Sequence, residues 1–300
     1  MALNNPAFNN PAFQDERAVR TYPGGRQAAN LSSAQQAGVN AATQAQLEGM
    51  YAAPAAGALE TDRMSYEDTI WKTVGLFGVL LVTAVVGWVW TMAPVTATNP
   101  APSIAPWLIG ALGGFVLAMV VIFTSRKKIR PPLIVAYAAF QGLFVGGISA
   151  YFEMMFEGIV LQATLGTLSV VGVTLALFAS GKVRASKRAT KIFMIAMLGY
   201  LVFSLLNLGL MVFNAPIAGG AFGLRSMEGP FGIPWGVIIG VFVVIMAAYS
   251  LVLDFDSIQR GVRNGAPRKF GWLGAFGIMV TVVWLYVEIL RIIAIVRGSN

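Results

Sequence analysis

The chain contains neither cysteine nor histidine. Structural disulfides and thiol chemistry are therefore excluded, as are the histidine ligands of ordinary zinc sites. Charge is also scarce: Asp, Glu, Lys and Arg make up 11% of the 300 residues, against roughly 25% in soluble domains. The first connection between apolar runs, APVTATNPAPS, holds no basic residue at all. No basic start followed by an apolar core opens the chain, so no cleavable secretory signal is expected.

What the chain has instead is apolar residues, 57% of the total, gathered into long runs. Seven such segments cover approximately 70–92, 104–124, 133–153, 158–179, 191–213, 233–253 and 273–296. Each approaches the roughly 20 residues needed to cross the hydrocarbon layer. The runs are continuously apolar and too long for outer-membrane strands, which predicts helices. The expected fold is all-α, a polytopic bundle of seven transmembrane helices over residues 61–300, with a lipid bilayer as its solvent.

The net charge of +8 reflects topology, with no nucleic-acid partner implied. Basic residues cluster in the second connection (SRKKIRPP), the fourth (GKVRASKRATK) and the sixth (QRGVRNGAPRK). The first has none, the third contributes Glu153 and Glu157, and the fifth has only Arg225 against Glu228. Basic connections stay cytoplasmic. The expected location is the cytoplasmic (inner) membrane, with the N-terminus inside and the C-terminus outside.

Residues 1–60 are of different composition. The unit NNPAF occurs twice, centred on Phe8 and Phe13, and is followed by sequence rich in Ala, Gln, Asn and Gly. This predicts a disordered cytoplasmic tail with a short helix near 40–50. Glycines recur in the spans, as in GALGG (110–114), GLFVGG (142–147), Gly166 and Gly172. Small side chains of this kind let helix backbones approach closely.

Three acidic residues stand out. Asp254 and Asp256 close the sixth apolar run, and Glu288 lies about two thirds of the way along the seventh. An ionised carboxylate is costly in hydrocarbon, so Glu288 should face the bundle interior, a water-filled cavity or a cation. Arg291, three residues on, is its candidate partner. Asp254 and Asp256 are two residues apart and cannot share a helix face, so at most one points inward. Asp254 is the deeper, but the residues leave the choice open. If one of them meets Glu288, the two carboxylates would share a proton. Deprotonated, their oxygens would suit a hard cation such as calcium. A gate between the sixth and seventh helices follows as an expectation, protonated when closed and charged when open.

With YAAFQGLFVGGISAYFE in the third span, LVLDFDSIQRG at the end of the sixth and WLYVEILRI in the seventh, the chain resembles the Bax inhibitor-1 family. The likeness is closest to its bacterial, actinobacterial-type branch with an N-terminal extension, and covers about residues 65–297. It implies seven helices with the last one central. It also implies a calcium leak gated by two hydrogen-bonded aspartates on the sixth and seventh helices. Here those positions fall on Asp254 or Asp256 and on Glu288, a glutamate in place of an aspartate. An arginine near the pair is a further family feature; the second span has no cation before Arg126, so Arg291 is the candidate for that role.

The expected function is thus a pH-sensitive calcium leak channel, with no tightly bound cofactor and with calcium and protons as the permeant or sensed ions. Two other readings stand beside it: a non-conducting regulator that binds other membrane proteins, and a proton-coupled cation transporter. Enzymatic activity is not expected, because no histidine is available and no paired-aspartate protease motif is present.

Overall fold

In the computed structural model, which describes residues 62–213 and 222–298, seven long helices follow one another. They are α1 (Tyr66–Met92), α2 (Ala105–Ser125), α3 (Pro131–Met155), α4 (Ile159–Ala179), α5 (Lys187–Val212), α6 (Trp235–Arg263) and α7 (Gly271–Gly298). All seven are long and apolar enough to cross a membrane. Among the described residues there is no β-strand. The expected N-terminal tail, its NNPAF repeat and the short helix near 40–50 lie outside the described residues.

Local chemistry explains where the helices begin. Ser65 caps α1 by accepting a hydrogen bond from the Asp68 N–H (3.1 Å), and Ser186 caps α5 through the Ala189 N–H (3.2 Å). Pro131 and Pro132 start α3, where their missing N–H groups cost no helical hydrogen bond. At the start of α4 the Glu153 carboxylate takes the N–H groups of Gly158 (2.6 Å) and Val160 (2.9 Å). Glu153 is therefore a helix cap, tied down inside the fold.

Six of the seven helices match the apolar runs to within a few residues. The exception is α6, which continues to Arg263, ten residues past the end of its run at 253. Hydropathy marks only the stretch of helix that is apolar all round. The last turns stay helical because one face packs on α7 while the other pairs Asp256 with Arg260. The DFD motif consequently lies inside a helix.

Helix α3 sits close against α1 and α2. A Cβ on Gly142 or Gly146 would overlap the carbonyl of Leu80 or Ala84 on α1. One on Gly110 of α2 would collide with the α3 backbone. Glycine is required there by close approach, the role expected of the small residues. Gly172 differs, with open space where a side chain would go. Helix α7 packs against α1, α3, α4 and α6 and is buried on successive turns from Gly271 to Ile295. Helix α5 is the opposite case: among its residues only Thr190 and Asn207 are buried.

The two ends of the bundle differ. At one end Met64, Ile129, Ala266 and Phe270 form one cluster, which joins the start of α1 to the α2–α3 and α6–α7 connections. Asp68 is held there by Lys72 and by Arg268 (2.9 Å), and Arg184 donates to Gln259 (2.9 Å). This is the end that carries the basic connections. The other end opens into a cavity of about 670 Å³ between α2, α3, α5, α7 and the turn before α6.

Candidate functional site: a polar seam between α6 and α7

Helices α6 and α7 run antiparallel, with Gly236 against Ile295, Gly240 against Ile292, and Ile258 against Gly274. Ionisable groups occupy two levels of this seam.

The first level lies toward the basic end. Asp254 is wholly buried (0% exposed) and accepts a 2.7 Å hydrogen bond from the Thr281 hydroxyl on α7. The Ser250 hydroxyl is 3.3 Å from that of Thr281 and extends the polar cluster. Asp256 faces elsewhere and pairs with Arg260 at 3.1 Å, with part of its side chain exposed. Of the two aspartates left open by the sequence, the structure thus places Asp254 against α7.

The second level lies toward the cavity. Glu288 is 1% exposed and is paired with Arg291 one turn along α7. Its other oxygen accepts a 3.0 Å hydrogen bond from the Tyr200 hydroxyl on α5. Arg291 also donates to the Tyr200 oxygen (3.1 Å). A second cation joins from the turn before α6: Arg225 donates to Ser204 on α5 (2.8 Å) and reaches the Tyr200 oxygen at 3.5 Å. Burial and the like charge of Arg291 hold the Arg225 guanidinium below its ordinary pKa.

Arg225 reaches the interior because its turn is pinned. Asn207, buried on α5, accepts from the Leu224 N–H (2.9 Å) and donates to the Phe222 carbonyl (3.2 Å). Gly223 adopts a φ of +61° with the Asn207 amide oxygen where a Cβ would stand, so only glycine fits. In the sequence Arg225 is simply the one basic residue of the fifth connection. The pinned turn instead folds Arg225 inward, to 9% exposure.

The expectation of a direct carboxylate pair is corrected by this geometry. Thr281, the α7 partner of Asp254, precedes Glu288 by seven residues, about 10 Å of helix rise. The α6 residue beside Glu288 is Gly240, where a Cβ would lie 3.4 Å from the carboxylate. Glu288 and Asp254 thus share a seam but occupy different levels of it. Nor do Asp254, Asp256 and Glu288 gather into one cation site. Among the described residues no group of three or more acidic side chains is placed to hold a metal ion.

The model of the family described as Bax inhibitor 1 like matches residues 5–298. The chain belongs to that family. The match runs through most of residues 1–60 as well as the helical bundle, so the N-terminal segment falls within the family's extent, contrary to the resemblance limited to 65–297. Comparison with curated proteins and with solved structures found no match. Together, the family and the seven apolar helices make this a multi-pass membrane protein of the Bax inhibitor 1 like family.

The residues that complete the site in this family member, Tyr200, Ser204, Asn207 and Thr281, did not stand out individually in the sequence. A signal was present nonetheless. Residues 200, 204 and 207 form a polar stripe at helical spacing on an otherwise apolar run. Thr281 and Glu288 repeat the pattern two turns apart on α7.

Proposed function

We propose that this protein is a cation leak of the membrane, with calcium as permeant ion, held closed in the conformation described here. The observation that carries the reading is the burial of Asp254 and Glu288 on one seam of an apolar bundle. Intramembrane carboxylates are expensive, and they characteristically mark ion or proton pathways. The family resemblance implies a gate on the same two helices.

The two-level arrangement changes how such a gate would work. A cation arriving from the cavity meets Arg291 and Arg225 before Glu288, so their charge opposes entry. Opening requires Arg291 to leave Glu288 and Tyr200, which would also release the weakly buried α5 from the core. The cation would then step from Glu288 to Asp254. Protonation of Asp254 removes the second negative step, so flux should fall as pH is lowered. By the distribution of basic connections, the Asp254 end is cytoplasmic and the cavity opens outside.

A non-conducting regulator of another membrane protein is the competing reading. It is favoured by the internal partners already held by Asp256 and Glu288, which allow a purely structural role. Calcium flux into proteoliposomes containing the full chain, with protein-free vesicles as reference, separates the readings. Flux above the reference supports the leak, and its absence from folded, correctly inserted protein overturns it. Flux driven only by an imposed proton gradient would instead indicate a proton-coupled transporter.

A further inference from the structure

The cavity at the end remote from the basic connections carries more positive charge than the one carboxylate behind it balances. Two guanidinium groups, Arg225 and Arg291, line it, and Glu288 is the carboxylate that faces them from behind. No acidic side chain is among the described residues that line the cavity, and the nearby Glu153 spends both oxygens on the backbone N–H groups of Gly158 and Val160.

The remaining partners of Arg225 are neutral. It lies over the rings of Tyr200 (5.6 Å) and Phe203 (5.2 Å) and donates to Ser204. Among the described residues the buried Nε atoms of both Arg225 and Arg291 have no hydrogen-bond partner. Leaving a buried donor unpaired is costly, and leaving a buried cation without a counter-charge costs more. Apart from Asn207 and Ser226 the walls are mainly apolar and aromatic, with Trp107, Phe152, Phe156 and Phe222 among them. At about 670 Å³ the space falls within the range that accepts small organic ligands.

We infer that this cavity binds an amphiphilic monoanion, its carboxylate or phosphate on Arg225 and Arg291 and its apolar body against the aromatic wall. Planar guanidinium groups suit such oxyanions, and an ion pair made in an apolar cavity is stronger than one made in water. The site holds whether or not the bundle conducts, and binding is measured without any flux. The anion can come from solution, as a free carboxylate, or from the bilayer, as an acidic lipid.

Thermal unfolding of the full chain in neutral detergent tests the site, with sodium decanoate, decanol and decyltrimethylammonium as probes of equal length. Decanoate should stabilise at concentrations about tenfold below those needed for decanol, since a charge-assisted hydrogen bond is at stake. The ammonium probe should give no such effect. Arg225→Gln should erase the advantage of decanoate over decanol, and Arg225→Lys, which keeps the charge, should retain part of it. Equal stabilisation by decanoate and decanol on the wild-type chain would overturn the inference, a comparison that needs no variant to fold. A folded Arg225→Gln protein that still prefers decanoate would overturn it as well. Repeating the titration in nanodiscs with and without phosphatidylglycerol assigns the source. Weaker decanoate binding in the acidic discs identifies lipid as the resident anion, and unchanged binding identifies a soluble carboxylate.

Discussion

The hydroxyl of Tyr200 on α5 donates a 3.0 Å hydrogen bond to the buried carboxylate of Glu288 on α7. This contact joins the least buried helix of the bundle to one of the most buried, and it does so through a charged group. Helix α5 offers little apolar surface to the core, so polar contacts hold it in place. They include Tyr200 at Glu288, Ser204 at Arg225, Asn207 at the Phe222–Leu224 turn, and Thr190 at Tyr249 (3.0 Å).

Tyr200→Phe removes the hydroxyl while keeping the ring under Arg225. The Glu288 oxygen and one Arg291 donor then lose their shared partner. Hydrogen bonds to charged groups contribute about 1.5–3 kcal/mol, so the midpoint of unfolding in detergent should fall measurably. Cross-linking or hydrogen exchange at α5 should show it loosened while α7 stays protected. An unchanged midpoint and unchanged α5 protection would show that the helix is held by other means.

Arg291→Gln tests the closed state directly. Two cations now stand between the cavity and Glu288, and the substitution removes the one that contacts it. Calcium flux in proteoliposomes should rise, because the barrier to cation entry loses a charge while Glu288 keeps its bond to Tyr200. Flux that falls in a protein still monodisperse in detergent would argue that Arg291 is part of the path and does not block it.

Asp254 and Asp256 should behave differently despite their proximity. Wild-type calcium flux is expected to fall as pH drops, because a protonated Asp254 offers no charge to a cation. Asp254→Asn should leave flux low and nearly independent of pH. Asp256→Asn should keep the wild-type profile, since that side chain faces Arg260 at the end of the helix. Matching profiles for the two variants would remove Asp254 from its assigned place in the pathway.

The tight α1–α3 contact gives a stability expectation. Replacing Gly146 by Leu would force a side chain into the Ala84 backbone of α1. Overpacking of this kind costs about 1–3 kcal/mol or more where backbone cannot yield. The yield of monodisperse protein should drop sharply, whereas Gly172→Leu, facing open space, should be tolerated.

The helical bundle was legible in the sequence because membrane spans announce themselves by length and continuous apolarity. Glu288 was legible for the related reason that a charge deep in such a run is conspicuous. The register between α6 and α7 was not. It is set by close contacts of Gly236 with Ile295, Gly240 with Ile292 and Ile258 with Gly274, which hydropathy does not encode. Those contacts put Asp254 at the level of Thr281 and leave Glu288 facing Gly240. Arg225 escaped for a different reason: composition places it in a loop, and only the Asn207-pinned turn reveals that the loop folds inward.

Orientation follows from the charges at the two ends and can be tested in the same cysteine-free chain. Lys128 and Lys182 are exposed in connections at the basic end, and Ala97 is exposed in the neutral connection between α1 and α2. Single cysteines at these positions leave the described ion pairs intact, and the chain has no native thiol to compete. Basic connections are retained in the cytoplasm, so Lys128→Cys and Lys182→Cys should be shielded from an impermeant thiol reagent in intact cells. Ala97→Cys should react, and all three should react once the membrane is permeabilised. Labelling of the two lysine positions with protection of Ala97→Cys would invert the topology. The cavity that holds Arg225 and Arg291 would then open to the cytoplasm, and Asp254 would lie at the outer end of the seam.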